Sequence, residues 1–371
     1  MDTATRSALA PFTRRPLALA RNRVYRVWKG GALLDRMHGK PEPEDTNFPE
    51  DWVGSTTVTR LPGRPADEGL SRVLLPDGAT VFLKTLIETF PEIMLGSGHV
   101  LRHGAELGVL CKLLDAGMRL SIQAHPDRTF ARAHLQSEFG KTESWLVIGT
   151  RVINGERPSI LFGFRDGVTE EEFRRITRAQ DTEKQVKALN RIEVQPGEVY
   201  LVPAGTPHAI GSGVFVVEVQ EPTDYVVNAE YTLGEIRRSE AECFMGIGFD
   251  LGMGCFNYQA VGMDFVRQHT LAPRILLEDT HGCEEVLIGP EDTSCFGAAR
   301  LSMREAVPDR DRGRCYVGIV IEGQGQLVGP DIAMPLQAGA TFFIPAASRH
   351  EAYQATADFP LTLIKCFPPI P

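Results

Sequence analysis

Two stretches of this chain share one layout: an apolar run, a glycine turn, a second apolar run and a proline. The first is Val194–Pro203, with its turn at Gln195-Pro196-Gly197. The second passes through Ile319-Val320-Ile321, Gly323-Gln324-Gly325, Leu336-Gln337-Ala338-Gly339 and Phe342–Pro345. Apolar runs this short, each closed by glycine or proline, read as strands rather than helices. The layout therefore confines the chain to a mainly β fold holding two weakly similar units, at roughly 190–220 and 315–350. The 36 Gly and 25 Pro supply the turns that so many short strands need.

At 371 residues the chain exceeds one ordinary core, and 43% apolar residues are enough to build two. Against 39 Lys+Arg stand 48 Asp+Glu, a net charge of -9, which argues against a nucleic-acid partner. It leaves an anionic substrate open, because local charge can oppose the global sign. No run approaches the roughly 20 apolar residues of a membrane span. The 7 Cys are odd in number and no pair has C-x-x-C spacing, so a disulfide framework and a cysteine zinc site are both disfavoured. Reduced cysteines and no signal-peptide run give a cytoplasmic expectation.

Residues 1–22 are arginine-rich and interrupted by Pro11 and Pro16, and read as a loosely ordered arm. Residues 23–250 and 251–371 are the two expected domains. Within the first, about 168–190 is a short helical insertion. Thr169-Glu170-Glu171-Glu172-Phe173 has the form of an N-cap and an acidic first turn, and the apolar positions that follow are sparse.

Three segments carry chemistry. In Leu120-Ser121-Ile122-Gln123-Ala124-His125-Pro126, alternation on a strand puts Ser121, Gln123 and His125 on one face. A polar face in so apolar a neighbourhood lines a cavity or meets solvent. In Gly140-Lys141-Thr142-Glu143-Ser144-Trp145, Lys141 and Glu143 share a face at the entry to a hydrophobic strand, where a carboxylate needs a partner. In Pro203-Ala204-Gly205-Thr206-Pro207-His208, a rigid turn holds one imidazole with little freedom, as suits a metal ligand. Taken singly, His125 reads more often as a turn residue and Glu143 as half of a surface ion pair. Taken together, two imidazoles, a carboxylate and an amide oxygen suit zinc, with iron, cobalt, nickel and manganese also compatible.

These three motifs, in this order and spacing, resemble the signature of the type I phosphomannose isomerases, members of the cupin superfamily. The similarity extends over most of the chain from Trp28 onward. The resemblance implies two cupin-type (jelly-roll) β-barrels, only the first carrying metal. It implies one zinc per chain on Gln123, His125, Glu143 and His208. It also implies Lys141, Glu218 and Asp224 in the catalytic pocket, with Ser55, Lys112 and Ser121 near the substrate. The implied activity is interconversion of mannose 6-phosphate and fructose 6-phosphate by a monomer or homodimer.

One position departs from the pattern. The family places an arginine four residues beyond the aspartate matched by Asp224, and Asn228 stands there. A neutral amide supplies no full charge to a phosphate or an enediolate. Arg237 and Arg238 lie nearby in sequence as substitutes. The departure supports a second expectation, a metal cupin that binds a sugar phosphate without turning it over. A third is a different metal cupin enzyme such as an iron oxygenase.

Overall fold

The computed structural model describes residues 3–356 and 360–369. Four main sheets stack as layers. A seven-stranded sheet runs in the order Thr270–Leu271, Val199–Val202, Glu143–Thr150, Val214–Gln220, Leu110–Asp115, Glu50–Val53 and Arg23–Val24. A five-stranded sheet runs Leu189–Glu193, Ser159–Phe164, His208–Ile210, Gln123–Ala124 and Val227–Asn228. Beyond residue 273 a second seven-stranded sheet contains Tyr316–Glu322, Thr341–Ile344 and Leu361–Phe367, and a four-stranded sheet contains Gln324–Gly329 and Ala352–Ala355.

Alternation decides which core each side chain joins. On Val214–Gln220, Phe215, Val217 and Val219 enter a core with Val317, Ile319, Ile364 and Cys366, so the two seven-stranded sheets pack back to back. Val214 and Val216 face the other way, joining Trp145, Phe162, Tyr200 and Ile210 between the seven- and five-stranded sheets. Glu218 and Gln220 share this second face by the same period of two. A polar pair at the end of an apolar strand is how the sequence makes room for a site.

The helical insertion is present as Glu170–Arg178 and Thr182–Lys187. Thr169 caps the first through Glu172 N and Asp181 caps the second through Lys184 N. Phe173 and Ile176 bury against Ile122, Ala124, Leu161 and Val227 on the outer face of the five-stranded sheet.

Three expectations are corrected. The arm is not loose among its described residues: Thr3–Leu9 is helical, and Leu17–Ala18 pair with Phe342 and Phe343 in the second seven-stranded sheet. Leu9, Leu17 and Leu19 are buried in the core between the sheets, which explains the ordering; Met1 and Asp2 lie outside the described residues. Thr56-Thr57-Val58, which by composition reads as a short β-like run, forms no strand. Thr270–Leu271 pair with Val199 and Tyr200, so the first unit's sheet extends past residue 250. All seven cysteines are free.

The second sheet pair encloses a polar cluster that no motif announced. Lys365 Nζ donates to Glu284 Oε1 at 2.9 Å, Asp309 Oδ1 at 2.8 Å and Asp311 Oδ2 at 2.9 Å. Asp309 Oδ2 also receives Tyr316 and His350, and Tyr316 meets the Tyr353 hydroxyl at 2.6 Å. His350 is thus committed to a carboxylate within a filled core.

Candidate metal centre

Gln123, His125 and His208 come from the five-stranded sheet or its edge, and Glu143 from the facing seven-stranded one. Backbone register sets the spacing. Gln123 lies between His208 and Asn228, while Glu143 lies between Val202 and Gln220. The turn before His208 needs its glycine: Gly205 has φ +83°, and a Cβ there would meet the Cys255 carbonyl at 3.0 Å. Gly205 N donates to the His125 carbonyl at 2.8 Å, which ties the two histidine segments together.

The imidazoles are oriented by backbone. His125 Nδ1 donates to the Tyr225 carbonyl and His208 Nδ1 to the Thr206 carbonyl, each at 2.8 Å. Both therefore turn Nε2 inward. Burial, then the Lys141 ammonium, pushes His125 down to about 4, and burial lowers His208 as well. Near neutral pH, His125 Nε2 carries a lone pair. It faces Glu143 Oε2 at 3.2 Å, and His208 Nε2 faces Glu143 Oε1 at 3.2 Å. Lone pairs against a carboxylate in a dry site repel unless a cation stands among them.

Part of that charge comes from Lys141, whose Nζ is 2.9 Å from both His125 Nε2 and Glu143 Oε2. Trp145 Nε1 donates to Glu143 Oε1 at 3.1 Å. Burial raises the Glu143 pKa, but Lys141 and the two imidazoles outweigh it and hold the carboxyl well below its usual range. Among the described residues Glu143 Oε2 makes no well-directed hydrogen bond despite these close neighbours. His125, Glu143 and His208 present ligand atoms within 4.8 Å of one another, the one such group among the described residues. Gln123 Nε2 sits 3.3 Å from His208 Nε2, and a turn of the amide offers Oε1 to the same point. The donor set fits a divalent metal.

A second charged layer adjoins this one across the seven-stranded sheet. Lys112 Nζ meets Glu218 Oε2 at 2.6 Å. Arg26 pairs with Glu50 at 2.9 Å and Asp224 at 3.1 Å, and Trp52 Nε1 donates to Glu50 at 2.7 Å. Burial raises the Asp224 pKa, but Arg26 and Lys112 bring it below its ordinary value. Tyr225 links the layers, since its carbonyl orients His125 directly after Asp224. Lys112→Met is expected to cost about 3 kcal/mol, because it strands a buried Glu218. An unchanged denaturant midpoint would overturn that account.

The structure thus brings Gln123, His125, Lys141, Glu143 and His208 together, with Lys112, Glu218 and Asp224 in the adjoining layer. Asn228 is buried opposite Gln123 and brings no charge. Ser121 Oγ accepts from Arg238 at 2.6 Å. Among the described residues Ser55 is not joined to either layer by a hydrogen bond; its hydroxyl donates to the Thr57 carbonyl at 3.0 Å. Sequence reasoning missed Arg26, Glu50, Trp52 and Trp145. Glu50 and Trp52 are two apart on one strand, as are Glu143 and Trp145, so their shared faces were legible; Arg26 reaches Asp224 only through folding.

Comparison with known proteins bears on this geometry. No family model matches the chain. The chain is 27% identical to mannose-6-phosphate isomerase ManA of Bacillus subtilis over 243 residues, covering 65% of this chain and 70% of ManA. It is 39% identical over 116 residues to a mannose-6-phosphate isomerase of Streptococcus mutans, covering 31% of this chain and 34% of that protein. The crystal structure of the Bacillus subtilis mannose 6-phosphate isomerase matches with a TM-score of 0.74 at 23% identity, covering 95% of this chain and 99% of that one. The chain is similar in sequence to mannose-6-phosphate isomerases. It shares the fold of the Bacillus subtilis structure over nearly its whole length. The resemblance read from the three motifs is thereby borne out.

Proposed function

We propose that the protein is a metal-dependent aldose–ketose isomerase interconverting mannose 6-phosphate and fructose 6-phosphate. The observation that carries this is the pair of inward Nε2 atoms facing the Glu143 carboxylate, in a chain similar in sequence to mannose-6-phosphate isomerases. Gln123, His125, Glu143 and His208 are the ligands in this reading, zinc is the metal, and each sheet pair is a cupin-type barrel with metal only in the first. When bound, the metal supplies Lewis-acid polarisation of the sugar carbonyl.

The chain's own residues supply the rest. Isomerisation moves a proton between C1 and C2, so a base must take it and return it. Glu218 and Asp224 are the carboxylates available, paired with Lys112 and Arg26 respectively. Lys141, between His125 and Glu143, stands where it can steady negative charge on the sugar oxygens. The opposed sheets bury these groups, which strengthens their electrostatics and limits water.

The direct test couples fructose 6-phosphate formation from mannose 6-phosphate to NADPH production. Turnover is expected with metal, to be lost on chelation and restored by zinc. No metal-dependent turnover would overturn the proposal. The buried, neutral Asn228 favours a second reading, a sugar-phosphate-binding protein without catalysis. It predicts thermal stabilisation by mannose 6-phosphate with no product.

A further inference from the structure

A sheet edge carries unpaired backbone groups that invite another strand, and proteins guard such edges with proline or charge. Two of the longer edges here are guarded. Ile332–Gln337, at the edge of the four-stranded sheet, carries Pro335. Leu189–Glu193, at the edge of the five-stranded sheet, carries Arg191 and Glu193. Arg274–Glu278 is different. It is the last strand of the second seven-stranded sheet, paired on one side with Gly282–Ile288 and with no strand on the other among the described residues. It contains no proline, and its three central residues are Ile275, Leu276 and Leu277. Ile275 is 63% exposed and Leu276 59%, the one consecutive pair of exposed large aliphatics among the described residues.

A bulge accounts for the exposure. The register to Gly282–Ile288 shifts between Ile275 and Leu277, so Leu276 has no residue opposite it on its own sheet. Leu277 lies opposite Glu284, which belongs to the Lys365 cluster, and Ile275 lies opposite Glu285, which is taken by Arg300. A bulge often blunts an edge, but this one leaves both aliphatic side chains in water. Adjacent aliphatic side chains on an open strand mark a surface for another chain.

The order of residues says which chain fits. Two antiparallel copies of one strand, related by a two-fold axis, set one residue opposite itself. With Leu276 on the axis all five residues pair: Ile275 meets Leu277 of the second copy, and Arg274 meets Glu278. Moving the axis one residue either way sets Arg274 or Glu278 against Leu276. Glu278 is exposed and forms no ion pair among the described residues. Arg274 already holds Glu291 at 3.0 Å and pairs with Asp292. The match of Arg274 with Glu278 therefore sets register more than affinity. We propose that Arg274–Glu278 pairs with the same strand of a second copy, joining two chains into one continuous sheet centred on Leu276. Five residues span about 17 Å, and so short a contact falls below the roughly 1,600 Å² of a standard interface, which makes the dimer a weak one.

The test is sedimentation velocity on the full-length protein. The weight-average mass is expected to rise from one chain at about 1 μM toward two chains by about 500 μM. Leu276→Lys sets two ammonium groups face to face across the axis and should hold the mass at one chain throughout. Glu278→Lys meets Arg274 of the second copy with like charge and should raise the dimer Kd at least about tenfold. Both residues are exposed, so both variants should keep the far-UV circular dichroism of the unmutated protein. Register is read separately. Leu276→Cys should be joined to its own copy by a short bismaleimide, and Leu74→Cys, exposed on a different strand, should not. A single-chain mass at every concentration would overturn the proposal. So would a dimer that forms equally well in Leu276→Lys, or Leu276→Cys cross-linking no better than Leu74→Cys. Growth beyond two chains would overturn it too, because a two-fold pairing closes on itself.

Discussion

Glu143→Gln should cost the protein its metal and lower isomerase turnover by at least about a hundredfold. Outer partners of metal ligands already cost 10–100-fold when removed, and Glu143 faces both imidazoles directly. Glutamine keeps the shape and the Trp145 contact but removes the negative charge. What is left is a buried Lys141 ammonium, two inward Nε2 atoms and no anion to balance a divalent cation. Metal content after purification and dialysis gives a readout independent of activity. A variant that keeps one equivalent of metal and normal turnover would refute the ligand assignment. His208→Ala should lose metal as well. It leaves the Lys141–Glu143 pair intact, so its metal-free form should be more stable than that of Glu143→Gln.

The second large effect belongs to stability. Lys365→Met should destabilise the protein by about 5 kcal/mol, the upper end for breaking a buried pair. One ammonium there serves Glu284, Asp309 and Asp311, and methionine fills the space without supplying charge. The same cluster predicts a pH dependence. Burial raises the Asp309 pKa, but His350 and Lys365 outweigh it and hold it well below the ordinary carboxylate value. A depressed folded-state pKa stabilises fully above the unfolded value, about 4. That contribution is lost as the pH falls from there through the folded value. Denaturant melts of wild type and Lys365→Met from pH 7 downward check both statements. Curves that stay parallel through the acid range would mean the cluster contributes nothing to acid sensitivity.

The two clusters differ in how visible they were. Gln123, His125, Glu143 and His208 stand in three short motifs, each with turn residues that fix the backbone locally. A period of two was enough to say which residues shared a face. Lys365, Asp309 and His350 have no such setting. Their partners lie tens of residues away, and a lone lysine in Leu361–Phe367 reads as an interruption of a strand. Arg26 was hidden for the same reason, since it acts by reaching a segment distant in sequence.

The loose-arm expectation failed through a related blindness. Prolines at 11 and 16 do break a long helix, but Leu9, Leu17 and Leu19 find an apolar surface that another part of the chain provides. Local propensity carries no information about that surface.

By itself, then, the sequence determined the strand-rich class, the helical insertion and the residues able to hold a metal, because these follow from alternation, turn chemistry and donor type within short windows. Only the tertiary structure decided how the charges are balanced. Whether Lys112 neutralises Glu218, and whether Arg26 or the residue at 228 meets Asp224, both depend on distances of a few ångströms across facing sheets. Electrostatic energy falls with distance through space, and neighbours along the chain do not set that distance.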